Sequence, residues 1–128
     1  MQINARFDHY NINVFNLKAS LEFYEAALGL KEVRRKEAED GSFIIVYLGD
    51  GGRSSFLLEL TWLRDWENNY NLGDNEQHLC LRTSEDYEKV REYHRQNGWI
   101  CYENHSMGLY FISDPDGYWV EILPEKFS

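Results

Sequence analysis

The sequence predicts an α+β fold made of two tandem βαβββ modules. Three observations carry that prediction. Each half of the chain reads strand, helix, then three strands. The interval from His9 to Gly29 equals the interval from His78 to Gly98. Each half opens on a strand bearing one histidine and closes on a strand bearing one glutamate, Glu59 in the first and Glu121 in the second. A repeat of this kind decides the architecture before any single element does.

In the first half, Phe7 to Val14 reads as a strand. Asn16 is an N-cap residue type, and Leu17 to Leu28 reads as a helix with an apolar stripe at Leu17, Leu21, Tyr24 and Leu28. Gly29 supplies the left-handed stop. Strands follow near Leu30 to Lys36, Ser42 to Leu48 and Ser54 to Thr61, separated by Asp40-Gly41 and Gly49-Asp50-Gly51-Gly52. In the second half, Gln77 to Arg82 reads as a strand. Thr83 and Asp86 fit a capping box that opens a helix running to about Gln96, with Tyr87, Val90 and either His94 or Tyr93 buried and Gly98 as the stop. Strands are expected near Trp99 to Glu103, Gly108 to Ser113 and Tyr118 to Leu123. Asp114-Pro115-Asp116-Gly117 makes the last turn. The chain is thus expected to be a single domain over 1–128, with module one at about 5–61, a linker at 62–76 and module two at about 77–124.

Composition narrows the function. The chain has 128 residues, 13 Lys plus Arg and 22 Asp plus Glu, for a net charge of −9. Phosphate binding needs a basic stripe, so neither nucleic acid nor an anionic membrane surface is an expected partner. Apolar residues make up 43% and aromatics 16%, enough for a packed core. The longest wholly apolar run, Phe43 to Leu48, is too short to span a membrane. Met1 to Tyr10 lacks the regions of a secretory signal. Cys80 and Cys101 form no metal or redox motif, and two free thiols fit a reducing cytoplasm.

Strand parity then groups the candidate site, because alternate residues share a face. His9, Asn11 and Asn13 oppose Tyr10, Ile12 and Val14; Glu59 shares its face with Leu57 and Thr61. His78, Cys80 and Arg82 share a face, as do Trp119, Glu121 and Leu123. His9, Glu59, His78 and Glu121 therefore all fall on the side away from the helices, which is concave if each sheet curves. A mid-strand carboxylate between apolar neighbours costs several kcal/mol unless something compensates it, on the order of known buried-charge penalties. Two imidazoles and two carboxylates suit nickel, cobalt, manganese, iron or zinc better than magnesium or calcium. The alternative is that each histidine is hydrogen-bonded on the concave face and each glutamate is solvated.

The residues also carry a resemblance. Phe7-Asp8-His9, Asn16-Leu17, Phe23-Tyr24 and Leu28-Gly29-Leu30 resemble the opening module of the vicinal oxygen chelate superfamily. Phe56 to Thr61, Tyr70-Asn71-Leu72-Gly73 before Gln77-His78-Leu79, and Asp114 to Tyr118 before Val120-Glu121-Ile122 resemble glyoxalase I in particular. The resemblance covers nearly the whole chain. It implies a curved, cup-like mixed β-sheet with helices on its outer face, built around a divalent metal. It maps the metal ligands onto His9, Glu59, His78 and Glu121. The compact length resembles the nickel- or cobalt-dependent members, and the expected cofactor is nickel or zinc, with cobalt, manganese or iron as alternatives. Four filled ligand positions favour glyoxalase I over the ring-cleaving dioxygenases.

The implied reaction converts a methylglyoxal–thiol hemithioacetal to a 2-hydroxyacyl thioester by proton transfer through an enediolate that the metal stabilises. Glu121 is the implied principal base and Glu59 its counterpart. No redox cofactor is needed, and Gly49-Asp50-Gly51-Gly52 reads as a hairpin turn rather than a phosphate loop. Two positions depart from the family. Asn13 replaces an arginine, and Leu63 replaces an asparagine, that help hold glutathione, so the thiol can differ or be absent. Arg82 lies on the metal-facing parity and can serve as an anionic anchor or as a surface ion-pair partner. Trp119 is a pocket candidate, and Phe111 is either core or pocket floor. Trp62, Trp66 and Tyr70 line a pocket, form a dimer contact or cover core. His94 and His105 read as ordinary, and Arg34-Arg35-Lys36 as a solvated strand end. An epimerase or dioxygenase on the same scaffold, or a non-catalytic antibiotic-binding protein, are the alternative functions. The expected partners are a small-molecule substrate and a second copy of the chain, with sites shared between the chains.

Overall fold

The computed structural model describes residues 1–126 and divides into two compact units, the first Met1–Tyr70 and the second beginning at Asn71. The first unit comprises β1 (His9–Asn13), α1 (Leu17–Leu28), β2 (Lys31–Glu37), β3 (Phe43–Gly49) and β4 (Leu57–Leu63). The second comprises β5 (His78–Thr83), α2 (Tyr87–Gln96), β6 (Ile100–Asn104), β7 (Leu109–Ser113) and β8 (Trp119–Pro124). These are the two expected βαβββ modules, each with its own four-stranded sheet. The strand orders are β1-β4-β3-β2 and β5-β8-β7-β6.

Both sheets use one plan. The first strand pairs parallel with the last, and the remaining pairs are antiparallel. Both place a register shift in the strand after the helix, between Glu32 and Arg34 in one unit and between Ile100 and Tyr102 in the other. A parallel pair needs a crossover connection, and the helix belongs to it.

Local chemistry sets the helix ends. The Asn16 side chain accepts a hydrogen bond from the Ala19 amide, as an N-cap should. Gly29, at φ 68°, donates its amide to the Glu25 carbonyl, as in a left-handed helix stop, and the next amide, that of Leu30, bonds the Tyr24 carbonyl. In α1 Tyr24 is buried as expected, but the other buried residues are Ser20, Phe23 and Ala27, while Leu17, Leu21 and Leu28 are half-buried. Ser20 and Ala27 are small, so a reading that follows large apolar side chains passes over the two positions where the helix lies closest to its surroundings.

The expected capping box before α2 is corrected. Asp86 itself is the N-cap and accepts from the Lys89 amide. Thr83 instead accepts from the Glu85 amide and donates its hydroxyl to the Glu85 carboxylate. Both residue types cap well, and the choice depends on where the backbone turns. Of the two candidates for the buried position in α2, His94 is fully buried and Tyr93 is exposed.

Each unit packs one sheet face into a core. In the first, Ile12, Val14, Val46, Leu48, Leu58 and Leu60 are buried with Phe23 and Tyr24. In the second, Tyr110, Ile112, Val120 and Ile122 are buried. The opposite faces carry His9 with Glu59 in the first sheet and His78 with Glu121 in the second. No helix among the described residues is long and apolar enough to cross a membrane.

Candidate metal centre

On the other sheet face of the first unit, His9 and Glu59 come together. β1 pairs with β4 so that Asn11 stands opposite Glu59, which puts His9 one diagonal away on the same side. His9 Nε2 lies 3.5 Å from Glu59 Oε2. The His9 Nδ1–H donates to Asp8 Oδ2 at 2.7 Å, which fixes the ring and turns Nε2 toward the glutamate. That same bond holds the Asp8 carboxyl below the usual range. The edge of the Tyr47 ring packs on His9 at 5.6 Å between centroids. Tyr47 also stands opposite Glu59 in the β3–β4 register. Its interaction with that carboxylate raises the phenol above its ordinary value.

The second unit repeats the pair. Cys80 stands opposite Glu121 in the β5–β8 register, and His78 Nε2 lies 3.2 Å from Glu121 Oε1. Phe111 occupies the place of Tyr47, opposite Glu121, and packs edge-on against His78 at 4.9 Å. Cys80 is the polar neighbour of this carboxylate; burial first, and the Glu121 charge and hydrogen bond next, push its thiol up to about 11.

Both glutamate side chains are largely covered, at 13% exposed for Glu59 and 15% for Glu121. Carboxylates in that position need a compensating partner. Each has an imidazole nitrogen at close to the separation that one ion imposes, since two donors each about 2.1 Å from a metal and at right angles stand about 3.0 Å apart. The donor set therefore fits a divalent first-row ion. Each unit supplies one such pair, and among the described residues no group of three or more His, Cys, Asp and Glu side chains is gathered to hold a metal.

The remaining candidates divide. Trp119 and Phe111 lie on the Glu121 side of their sheet, 5.3 Å apart, and Tyr102 stacks on Trp119 at 6.0 Å, forming an aromatic surface beside His78. Asn13 lies on the His9 side of β1 and accepts from Asn11, whose own oxygen accepts from the Thr61 hydroxyl. Arg82 donates to the Pro124 carbonyl at 2.8 Å. Trp66 and Tyr70 stack on each other at 4.9 Å. His94 bonds the Tyr110 hydroxyl at 2.8 Å inside the core. His105 lies between Arg91 and Glu103. Both histidines have structural partners.

Three residues escaped the sequence reading. Tyr47 was legible only by superposing the two repeats, where it matches Phe111. Tyr102, which follows the register shift of β6 as Arg34 follows that of β2, reads in sequence only as part of a strand. Arg34 is exposed, as expected, but lies within β2 rather than at its end; its guanidinium lies over the Tyr47 ring, 4.1 Å from the centroid, while Arg35 takes the in-strand partners Glu32 and Glu37.

The family model described as "Glyoxalase/Bleomycin resistance protein/Dioxygenase superfamily" matches residues 6–122. A lactoylglutathione lyase of Neisseria meningitidis serogroup A is 35% identical over 94% of this chain and 91% of its own length. A probable lactoylglutathione lyase of Synechocystis is 30% identical over 90% of this chain and 92% of its own. Among solved structures, the trypanothione-dependent glyoxalase I of Leishmania major is similar at a TM-score of 0.82 and 31% identity, covering 95% of this chain and 88% of that one. Glyoxalase I from Zea mays is similar at a TM-score of 0.80 and 25% identity, covering 96% of this chain and 46% of that one.

Proposed function

The chain belongs to the glyoxalase/bleomycin resistance protein/dioxygenase superfamily, and we propose that it is a metal-dependent lyase of the glyoxalase I type. It converts the hemithioacetal of methylglyoxal and a thiol to a 2-hydroxyacyl thioester. The observation that supports this reading best is the recurrence of one imidazole–carboxylate pair at the same register positions of two sheets. His9, Glu59, His78 and Glu121 are the ligands, two from each unit. A divalent ion held there supplies charge stabilisation to the substrate oxygens. The order of preference for the ion is nickel or zinc, then cobalt, manganese or iron.

Glu121 takes the proton from the carbon that bears sulfur and oxygen, and the electron pair moves to give an enediolate. The same proton returns to the neighbouring carbon while the hydroxyl proton of the first carbon passes to the oxygen of the second, so the product is an isomer of the hemithioacetal and no electron acceptor is needed. Glu59 is the counterpart carboxylate. Phe111 and Trp119 offer apolar contact to the substrate, and Asn13 and Arg82 offer polar contact. The sheets of two chains share their sites in a homodimer, and the two free cysteines, Cys80 and Cys101, are consistent with the cytoplasm.

The test is turnover of a methylglyoxal–thiol hemithioacetal by protein loaded with each metal in turn, followed as thioester formation. Thioester formed only with metal present supports the reading. No thioester with any metal and any of glutathione, a glutathione conjugate or a simple thiol overturns it.

A further inference from the structure

Within the second unit, the strands that carry His78 and Glu121 are far apart in sequence and run parallel, so no hairpin sets their register. β5 lies at the edge of its sheet and pairs there with β8 alone. A slip between them would carry His78 away from Glu121, which lies 3.2 Å from it, and from the Phe111 ring. The segment that leads into β5 rests on the turn that leads into β8. The Asn75 side-chain amide donates to the Gly117 carbonyl at 2.9 Å, in a half-buried contact. Asn75 shortly precedes His78, and Gly117 shortly precedes Trp119, which stands opposite His78 in the register. The Leu72 side chain lies beside Gly117, 3.6 Å from where a Cβ would stand. The receiving turn is held from within, since the buried Asp114 carboxylate accepts from the Asp116 and Tyr118 amides, both at 2.9 Å. Asn75 also has φ 53°, the one positive φ outside glycine among the described residues. Asparagine tolerates this left-handed region where most side chains do not. Strain kept beside a site is the mark of a functional constraint.

We infer that Asn75 is a positioning residue for the metal centre: its left-handed backbone and its bond to Gly117 set the register of β5 against β8 and so hold His78 beside Glu121. This rests on the metal-dependent reading above. The first unit places its histidine by another route. Asp8 directly precedes His9, and its carboxylate holds the ring at 2.7 Å. The Asp8 carbonyl also accepts from the Leu57 amide at 3.0 Å, tying β1 to the start of β4. Gln77 stands in that place before His78 and has no carboxylate to offer the ring. The Asn75 clamp supplies from the preceding turn what Asp8 supplies from the adjacent residue. A ligand already in place before the ion arrives loses less freedom on binding, so the clamp acts on metal affinity.

The experiment measures nickel and zinc binding by calorimetry in wild type, Asn75→Gly and Asn75→Ala. It also follows the ring proton signals of His78 and His9 by NMR in the metal-free proteins. Glycine keeps the left-handed backbone and removes the donor, so its effect reports the bond to Gly117 rather than the turn. The expected loss in Asn75→Gly is about 2-fold to 10-fold in metal affinity, the worth of one neutral hydrogen bond. Asn75→Ala is expected to lose more, because alanine also strains the backbone. In both variants the His78 signals should move and the His9 signals stay, since Asp8 holds the first unit's histidine. Wild-type affinity with unmoved His78 signals in both variants overturns the inference while leaving the metal reading intact. Signals of His9 and His78 that move alike also overturn it, because the substitution then loosens the chain generally. Absence of metal uptake by the wild type overturns the metal reading and the inference with it.

Discussion

The two units share a sheet order, a register shift and a histidine–glutamate pair, and they differ in what packs against each. In the first unit α1 presents Phe23, Tyr24 and Ala27 to an apolar sheet face. In the second, α2 presents Arg91 and His94. His94 bonds the hydroxyl of Tyr110, and the residue that matches Tyr110 in the first sheet is Val46. Arg91 reaches Glu103 on β6 and His105 beyond it, whereas the match of Glu103 in the first sheet, Arg35, bonds along its own strand. On the opposite faces the polarity is reversed. The first sheet surrounds its pair with Tyr47, Arg34 and the Asn11–Asn13–Thr61 chain, and the second with Phe111, Trp119 and Tyr102. One backbone plan thus tolerates an apolar core with a polar site face in one copy and a partly polar core with an aromatic site face in the other. What both copies keep is the histidine and the glutamate.

The largest effect is expected at the carboxylates. Glu121→Gln removes the proposed base and should lower kcat by about 100-fold to 10,000-fold, the range for a lost general base. Glu59→Gln should lower metal affinity first and recover part of its activity at saturating metal. Rates measured over a metal titration separate the two; equal losses at saturation would erase the distinction between the halves.

Stability should respond unequally as well. Tyr110→Phe strands the His94 ring nitrogen inside the second unit and is expected to cost about 1–3 kcal/mol by denaturant unfolding, as for a buried group left without its partner. The first unit has no counterpart to lose, since Val46 makes no such bond.

The smallest effect is a pH dependence. Hydrogen bonds from Arg91 and Arg95 hold the Glu103 carboxyl below its ordinary 4.5. A depressed acid contributes stability above its unfolded value and loses that contribution as pH falls through its folded value. Glu103→Gln should therefore melt lower than wild type at pH 7, by a modest margin because the pair is partly solvated. That margin should shrink below about pH 4.5 and close in stronger acid. A margin that stays constant with pH would assign the effect to packing.

Much of this was legible in the sequence because repetition fixes parity. The equal intervals His9–Gly29 and His78–Gly98 aligned two strands and two helices, and the period of two then put each histidine on its glutamate's face. Helix α1 lay as expected from Asn16 to Gly29, because a cap and a left-handed glycine are local signals. The stripe within it was displaced because Ser20 and Ala27 are buried for their small size. The cap of α2 was misplaced because Thr83 and Asp86 are both competent and the deciding turn depends on tertiary context. Tyr47, Arg34 and Tyr102 went unread for another reason: their roles arise from antiparallel registers and a register shift between neighbouring strands, and no single strand's pattern contains that information.

The central claim is that two imidazole–carboxylate pairs serve one ion. Metal content after dialysis against nickel or zinc, measured by elemental analysis in wild type, His9→Ala and His78→Ala, tests it most directly. One ion per chain is expected in the wild type, with loss of that ion in either variant. Two ions per chain, with each substitution removing only one, would show the pairs acting as separate sites and contradict it.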